Sequence, residues 1–84
     1  MVQLPAHLTW AQLCCIAEKL GYGPSKHKKR GSARDFVNVD RDPPVVTFHE
    51  PHGNRTIPRG TMNLYISKLK ITKEQFAELF EQCR

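Results

Sequence analysis

Apolar residues recur along this chain at two spacings, and the change from one to the other divides it into elements. Leu13, Ile16, Ala17 and Leu20 fall at i, i+3, i+4 and i+7, the interval that aligns side chains on one face of a helix. Thr9 stands ahead of the run as a cap, with Gln12 three residues on to close a capping box, and Leu8 with Leu13 fits the accompanying hydrophobic staple. Gly21 supplies a left-handed stop, so the pattern predicts a helix over about residues 9 to 21. Gly21-Tyr22-Gly23-Pro24 then breaks the periodicity. Ser25 to Gly31 is too charged to be buried and reads as a loop or a short edge strand.

From Ser32 to Val39 the β-formers Phe36, Val37 and Val39 predict a strand, and Val45 to His49 predicts another. Asp40-Arg41-Asp42-Pro43-Pro44 between them is turn chemistry, which makes a hairpin with a five-residue loop. With Phe36 and Phe48 in the core, the period of two sends Ala33, Asp35 and Val37, together with Val45, Thr47 and His49, to the opposite face. Glu50 to Pro58, rich in Pro, Gly and Asn, is expected to be irregular. A second helix is predicted from near Gly60 or Thr61, with Met62, Tyr65, Ile66 and Leu69 as its buried stripe. A third repeats the first signature, with Thr72 as cap, Gln75 at the box position, Ile71 and Phe76 as staple, and Phe76, Leu79, Phe80 and Cys83 as apolar face. The expected architecture is α+β: a small antiparallel sheet of two to three strands with helices packed on one face, in one domain spanning residues 1–84.

Length limits what such a fold encloses. An 84-residue chain buries about 60 to 65% of its surface, so its core is modest and a large enclosed substrate cavity is not expected. Charge changes the picture more: 13 Lys+Arg against 8 Asp+Glu give +5, and Lys26, Lys28, Lys29, Arg30 and Arg34 follow one another with no acid between them. Clustered cations gain affinity for a phosphate backbone by counterion release, so nucleic acid is the natural partner. Cys14, Cys15 and Cys83 are odd in number and lack zinc-ligand spacing, and two are adjacent; they read as reduced thiols of a cytoplasmic protein. No apolar run approaches the length of a membrane span, and the N-terminus lacks the order of a signal peptide.

Two segments carry candidate chemistry. In Lys28-Lys29-Arg30-Gly31-Ser32-Ala33-Arg34 the cations supply charge and Gly31 lets backbone N–H groups approach a phosphate oxygen. The same lysines also suit a solvated sheet edge protected from aggregation. His49 and His52, three apart at a strand end, place imidazoles where RNA cleavage would use them, one to take the 2′-hydroxyl proton and one to protonate the leaving 5′-oxygen. They read equally as surface residues of a turn. No further ligand stands at metal-site spacing, and no cofactor fingerprint occurs. Trp10, Tyr22 and Tyr65 are base-stacking candidates or core residues.

Taken in order, these motifs resemble the HicA family of mRNA interferase toxins. Gly31-Ser32-Ala33-Arg34-Asp35-Phe36 is similar to the family's Gly-Ser-His-x-x-Phe/Tyr strand start, Ile57-Pro58-Arg59-Gly60-Thr61 to its Ile-Pro-x-Gly-Thr helix lead-in, and Ile71-Thr72-Lys73-Glu74-Gln75-Phe76 to a helix of its longer members. The resemblance covers about Leu13 to Leu79. It implies a double-stranded-RNA-binding-like fold, α-β-β-β-α, here with an added C-terminal helix. It also implies a metal-independent endoribonuclease acting on mRNA without a cofactor, and a HicB-type antitoxin as protein partner. Lys26, Lys28, Lys29, Arg30, Arg34 and Arg59 would contact phosphates, with Gly31 and Ser32 contributing hydrogen bonds. The family's catalytic histidine falls on Ala33. Either that alanine is a disarming substitution, or the chain belongs to a branch carrying His-x-Pro-His, which His49-Glu50-Pro51-His52 resembles; His49 is then the acid/base candidate. The alternatives are a non-catalytic RNA-binding module of the same fold, or an interaction domain whose cationic loop meets an acidic protein.

Overall fold

Three helices and a three-stranded antiparallel sheet make up the computed structural model, which describes residues 4–25, 31–53 and 55–84. In chain order they are α1 (Trp10–Lys19), β1 (Gly23–Pro24), β2 (Ala33–Val37), β3 (Val45–His49), α2 (Arg59–Leu69) and α3 (Lys73–Gln82). The expected α+β class holds. Lys26, Lys28, Lys29 and Arg30 lie outside the described residues.

Both capping boxes form. The Thr9 N–H donates to Gln12 Oε1 at 2.9 Å and the Gln12 N–H to Thr9 Oγ1 at 3.1 Å. Thr72 and Gln75 repeat the arrangement at the same two distances. Each box satisfies donors that a helix start otherwise leaves open. α2 differs: Pro58 is its N-cap and no side chain caps it.

Gly23-Pro24, expected as a break, is instead the edge strand β1. Gly23 faces Val37 and Pro24 faces Phe36, and the Ser25 N–H donates to Asp35 O at 2.9 Å. Proline is tolerated there because an edge strand has a side with no ladder to donate to. Gly21, at φ +88°, turns the chain from α1 into that strand; a Cβ on it would lie 2.6 Å from Asn38 Nδ2, which donates to Leu20 O at 3.1 Å. The β2–β3 connection spans residues 38–44, longer than expected, because Asn38 leaves the ladder to bond Leu20 O while its own N–H donates to Pro44 O.

Phe36, Val46 and Phe48 project from one sheet face into a core shared with Leu13, Ile16 and Ala17 of α1, Met62, Tyr65, Ile66 and Leu69 of α2, and Phe76 of α3. A row of rings runs beneath the sheet, with centroids 6.1 Å apart for Trp10–Phe36, 5.5 Å for Phe36–Phe48 and 4.6 Å for Phe48–Tyr65. Tilted aromatic pairs add about 0.5–1.5 kcal/mol each beyond area burial. Of the expected α3 stripe, Phe76 is fully buried; Leu79, Phe80 and Cys83 pack at the margin.

The cysteines overturn the reduced-thiol expectation. Cys15 and Cys83 form a disulfide, Cα atoms 5.9 Å apart across 68 residues of sequence, which ties α1 to the C-cap of α3. Adjacency in sequence misled because consecutive helical residues point about 100° apart: Cys15 meets α3, while Cys14 stays a free thiol facing another side.

Candidate nucleic-acid interface

The β2–β3 register places Ala33 directly opposite His49, Asp35 opposite Thr47 and Val37 opposite Val45. All six lie on the face away from Phe36 and Phe48, as the alternation predicts. The Glu50 N–H goes to Ser32 O at 2.8 Å while the His49 N–H goes outward to the Tyr65 hydroxyl at 2.9 Å. Ala33 and His49 are therefore a non-hydrogen-bonded pair, the kind whose Cα atoms approach to about 4.5 Å and whose side chains crowd one another. His49 and Val45 are exposed. Ser32 Oγ lies 3.5 Å from His49 Nδ1, a long contact at the limit of a hydrogen bond, and the Thr47 hydroxyl donates to Asp35 Oδ1 at 2.6 Å.

α2 secures the outer edge of β3. Besides the Tyr65 hydroxyl on the His49 N–H, Lys68 Nζ donates to Thr47 O at 3.2 Å. Side chains thus take the place of a fourth strand and hold His49 in register.

Beyond His49 the chain bends through His52, and the start of α2 returns alongside. His49, Glu50, His52, Arg55, Thr61 and Tyr65 line a cleft of ≈ 290 Å³ between the two. His52 and Arg55 are exposed, and the adjoining first turn of α2 has no side-chain cap, so its N–H groups and positive dipole end face this side. The lining thus brings two histidines, an arginine, a carboxylate and three hydroxyl residues to one cleft. Arg59 is exposed on that first turn but does not line the cleft. Sequence reading paired His52 with His49 as acid/base candidates but passed over Arg55 and Thr61 as site residues; the signal available was an arginine three residues past the His-x-Pro-His run and a threonine in the first turn of the following helix.

Arg34, expected to contact phosphates, is exposed and held by local bonds. It shares the face of Phe36, and its guanidinium folds back along its own strand start: Nη1 donates to Gly31 O at 2.7 Å and Ala33 O at 2.9 Å, and Nε lies 3.5 Å from Glu50 Oε1. The alternation that puts Ala33 on the face of His49 sends position 34 to the other face. Arg34 therefore braces the turn. Gly31 sits at φ +77° with open space where a Cβ would stand, leaving its surroundings accessible.

A second, larger cleft of ≈ 520 Å³ lies between α1 and the β1–β2 side of the sheet and takes in residues of both sheet faces, lined by Trp10, Cys14 and Glu18 of α1 and by Pro24, Asp35, Phe36 and Glu50 among others. Burial first, then the Glu18 and Glu50 charges, push the Cys14 thiol up to about 11, so both carboxylates project their field into it. Ala33 also lines this cleft, and Glu50 lines both. Among the described residues no group of three or more His, Cys, Asp or Glu converges to hold a metal ion, and no helix is long and apolar enough to cross a membrane.

Comparison with protein families, curated proteins and solved structures finds no match to this chain.

Proposed function

We propose that this chain is an RNA-binding domain of the HicA type, with a double-stranded-RNA-binding-like fold, acting as a metal-independent mRNA endoribonuclease and held in check by a HicB-type antitoxin. The observation that carries the reading is the cross-strand pairing of Ala33 with His49, a residue that lines one cleft with His52 and Arg55. It puts the residue at the family's catalytic position side by side with an exposed imidazole.

In that cleft a phosphodiester would sit against Arg55 and the N–H groups of the first turn of α2, which favour an anion. One imidazole, His49, takes the proton from the 2′-hydroxyl as that oxygen attacks phosphorus. The P–O5′ bond breaks as the 2′-O–P bond forms, and a second imidazole, His52, gives its proton to the departing 5′-oxygen. The products are a 2′,3′-cyclic phosphate and a 5′-hydroxyl, with no cofactor or added reactant. A histidine at position 33 would stand beside His49 and share the work.

Ala33 itself supports the second reading, a non-catalytic RNA-binding module, because a methyl group transfers no proton. Cleavage of single-stranded mRNA by the chain, A33H and H49A separates the two. We expect A33H to cleave fastest and H49A to fall about 10²- to 10⁴-fold below its parent. Binding without cleavage by the parent and A33H alike would leave the module reading in place.

A further inference from the structure

We infer that the cleft between α1 and the sheet is a guanine-binding subsite of RNA, selected by Glu18 and walled by Trp10. The inference deepens the RNA-binding reading above and rests on it for the source of the base.

The cleft has the size of sites that take a flat ligand of this class, and it is open rather than sealed. Trp10, Cys14 and Glu18 are four residues apart in turn along α1, so all three face the same side. Trp10 meets Phe36 edge to face at 6.1 Å and 62°, a geometry that fixes the indole as a wall on which a base can stack; stacking on aromatics tolerates any base and so supplies affinity without choice.

Choice comes from the carboxylates. Glu50 already faces the Arg34 guanidinium, which is bonded to Gly31 O and Ala33 O, and Asp35 already accepts from the Thr47 hydroxyl. Glu18 is exposed, has no ion pair among the described residues, and is left as the available acceptor. A carboxylate accepts and does not donate. Guanine alone of the four bases presents two parallel donors on one edge, N1–H and N2–H, which match the two carboxylate oxygens. Adenine turns its N1 lone pair toward such an acceptor, cytosine its N3 lone pair, and uracil flanks a single N3–H with two carbonyls. Each of the last three leaves an unfavourable oxygen or nitrogen facing Glu18.

Position follows from the shared residues. Ala33 and Glu50 line this cleft, and Glu50 also lines the His49–His52 cleft. A guanine held against Trp10 therefore belongs to a nucleotide next to the phosphate at the histidines, on the near side of the strand end.

Trp10 is the one tryptophan of the chain, so its emission reports the cleft directly. The single-stranded tetranucleotides UUGU, UUAU, UUCU and UUUU are titrated into the intact chain and into E18Q, an exposed helical substitution that leaves α1 its side-chain length. We expect UUGU to quench Trp10 and bind about tenfold more tightly than the others, and E18Q to bring all four within about twofold. Equal binding of the four by the parent chain, a guanine preference that survives E18Q, or quenching by an arginine-rich peptide and not by RNA overturns the inference. The ribonuclease reading is scored separately by cleavage of the same oligonucleotides. Guanine preference without cleavage sinks that reading alone, cleavage without preference sinks the subsite alone, and no RNA binding sinks both.

Discussion

The hydroxyl of Tyr65 accepts the backbone N–H of His49 at 2.9 Å, so a core residue of α2 fixes the strand position of the exposed imidazole in the proposed site. Its ring also packs on Phe48 at 4.6 Å, which holds the hydroxyl at that edge. Y65F keeps the packing and strips the acceptor. A partly buried N–H without a partner costs about 1–2 kcal/mol, read as a lower midpoint in urea, and a spread in the His49 backbone amide signal accompanies it. A variant as stable as its parent would show that α2 does not hold the edge through this bond.

The Cys15–Cys83 bridge closes most of the chain, its ends 68 positions apart in sequence. Constraint of the unfolded chain by a bridge of this kind is worth about 2–4 kcal/mol. For a domain of this length each kcal/mol moves Tm by about 4–8 °C. Reduction is therefore expected to lower Tm by at least about 8 °C and to free α3 before the sheet, because only Phe76 of that helix is fully buried. Hydrogen exchange with and without reductant checks the order.

Cys14 offers a pH test with a definite sign. Its thiol is raised from 9.0 to about 11, by burial first and then by the Glu18 and Glu50 charges. A folded pKa above the unfolded one favours the protonated form, so the contribution to stability is whole below pH 9 and is lost as pH rises from about 9 to about 11. At pH 8 the folded chain carries about a hundredfold less thiolate at Cys14 than the unfolded chain. Iodoacetamide should label the native protein slowly and at Cys14 alone, the unfolded protein quickly at that site, and the reduced unfolded protein at all three cysteines.

Gly21 and Gly31 separate backbone strain from crowding. Both have positive φ, +88° and +77°, but a Cβ at Gly21 would press on Asn38 Nδ2 at 2.6 Å while one at Gly31 meets nothing. G31A is expected to cost about 1 kcal/mol, the left-handed penalty alone. G21A adds displacement of Asn38 from Leu20 O and is expected to cost about 2–3 kcal/mol. Equal midpoints in chemical denaturation would remove the crowding account.

Much of the local structure was legible because it depends on residues close in sequence. Thr9 with Gln12 and Thr72 with Gln75 announce helix starts through bonds three residues long. The period of two in Phe36, Val46 and Phe48 settles which strand residues share a face, and with it the common side of Ala33 and His49. β1 was not legible: two residues, one a proline, carry no strand pattern, and only the partner β2 makes them a strand.

What the sequence determined by itself was the three helices and the β2–β3 hairpin, their buried stripes and the sheet face holding Ala33 and His49, since capping and periodicity are short-range matters of geometry. Tertiary structure alone decided that Cys15 meets Cys83, that Arg34 folds back on Gly31 O, Ala33 O and Glu50, that Tyr65 takes the His49 N–H, and that Arg55 joins the two histidines in one cleft. Those relations join helix to helix, helix to strand and turn to strand. They depend on how the elements dock against a shared core, and side-chain spacing along one chain does not specify that docking.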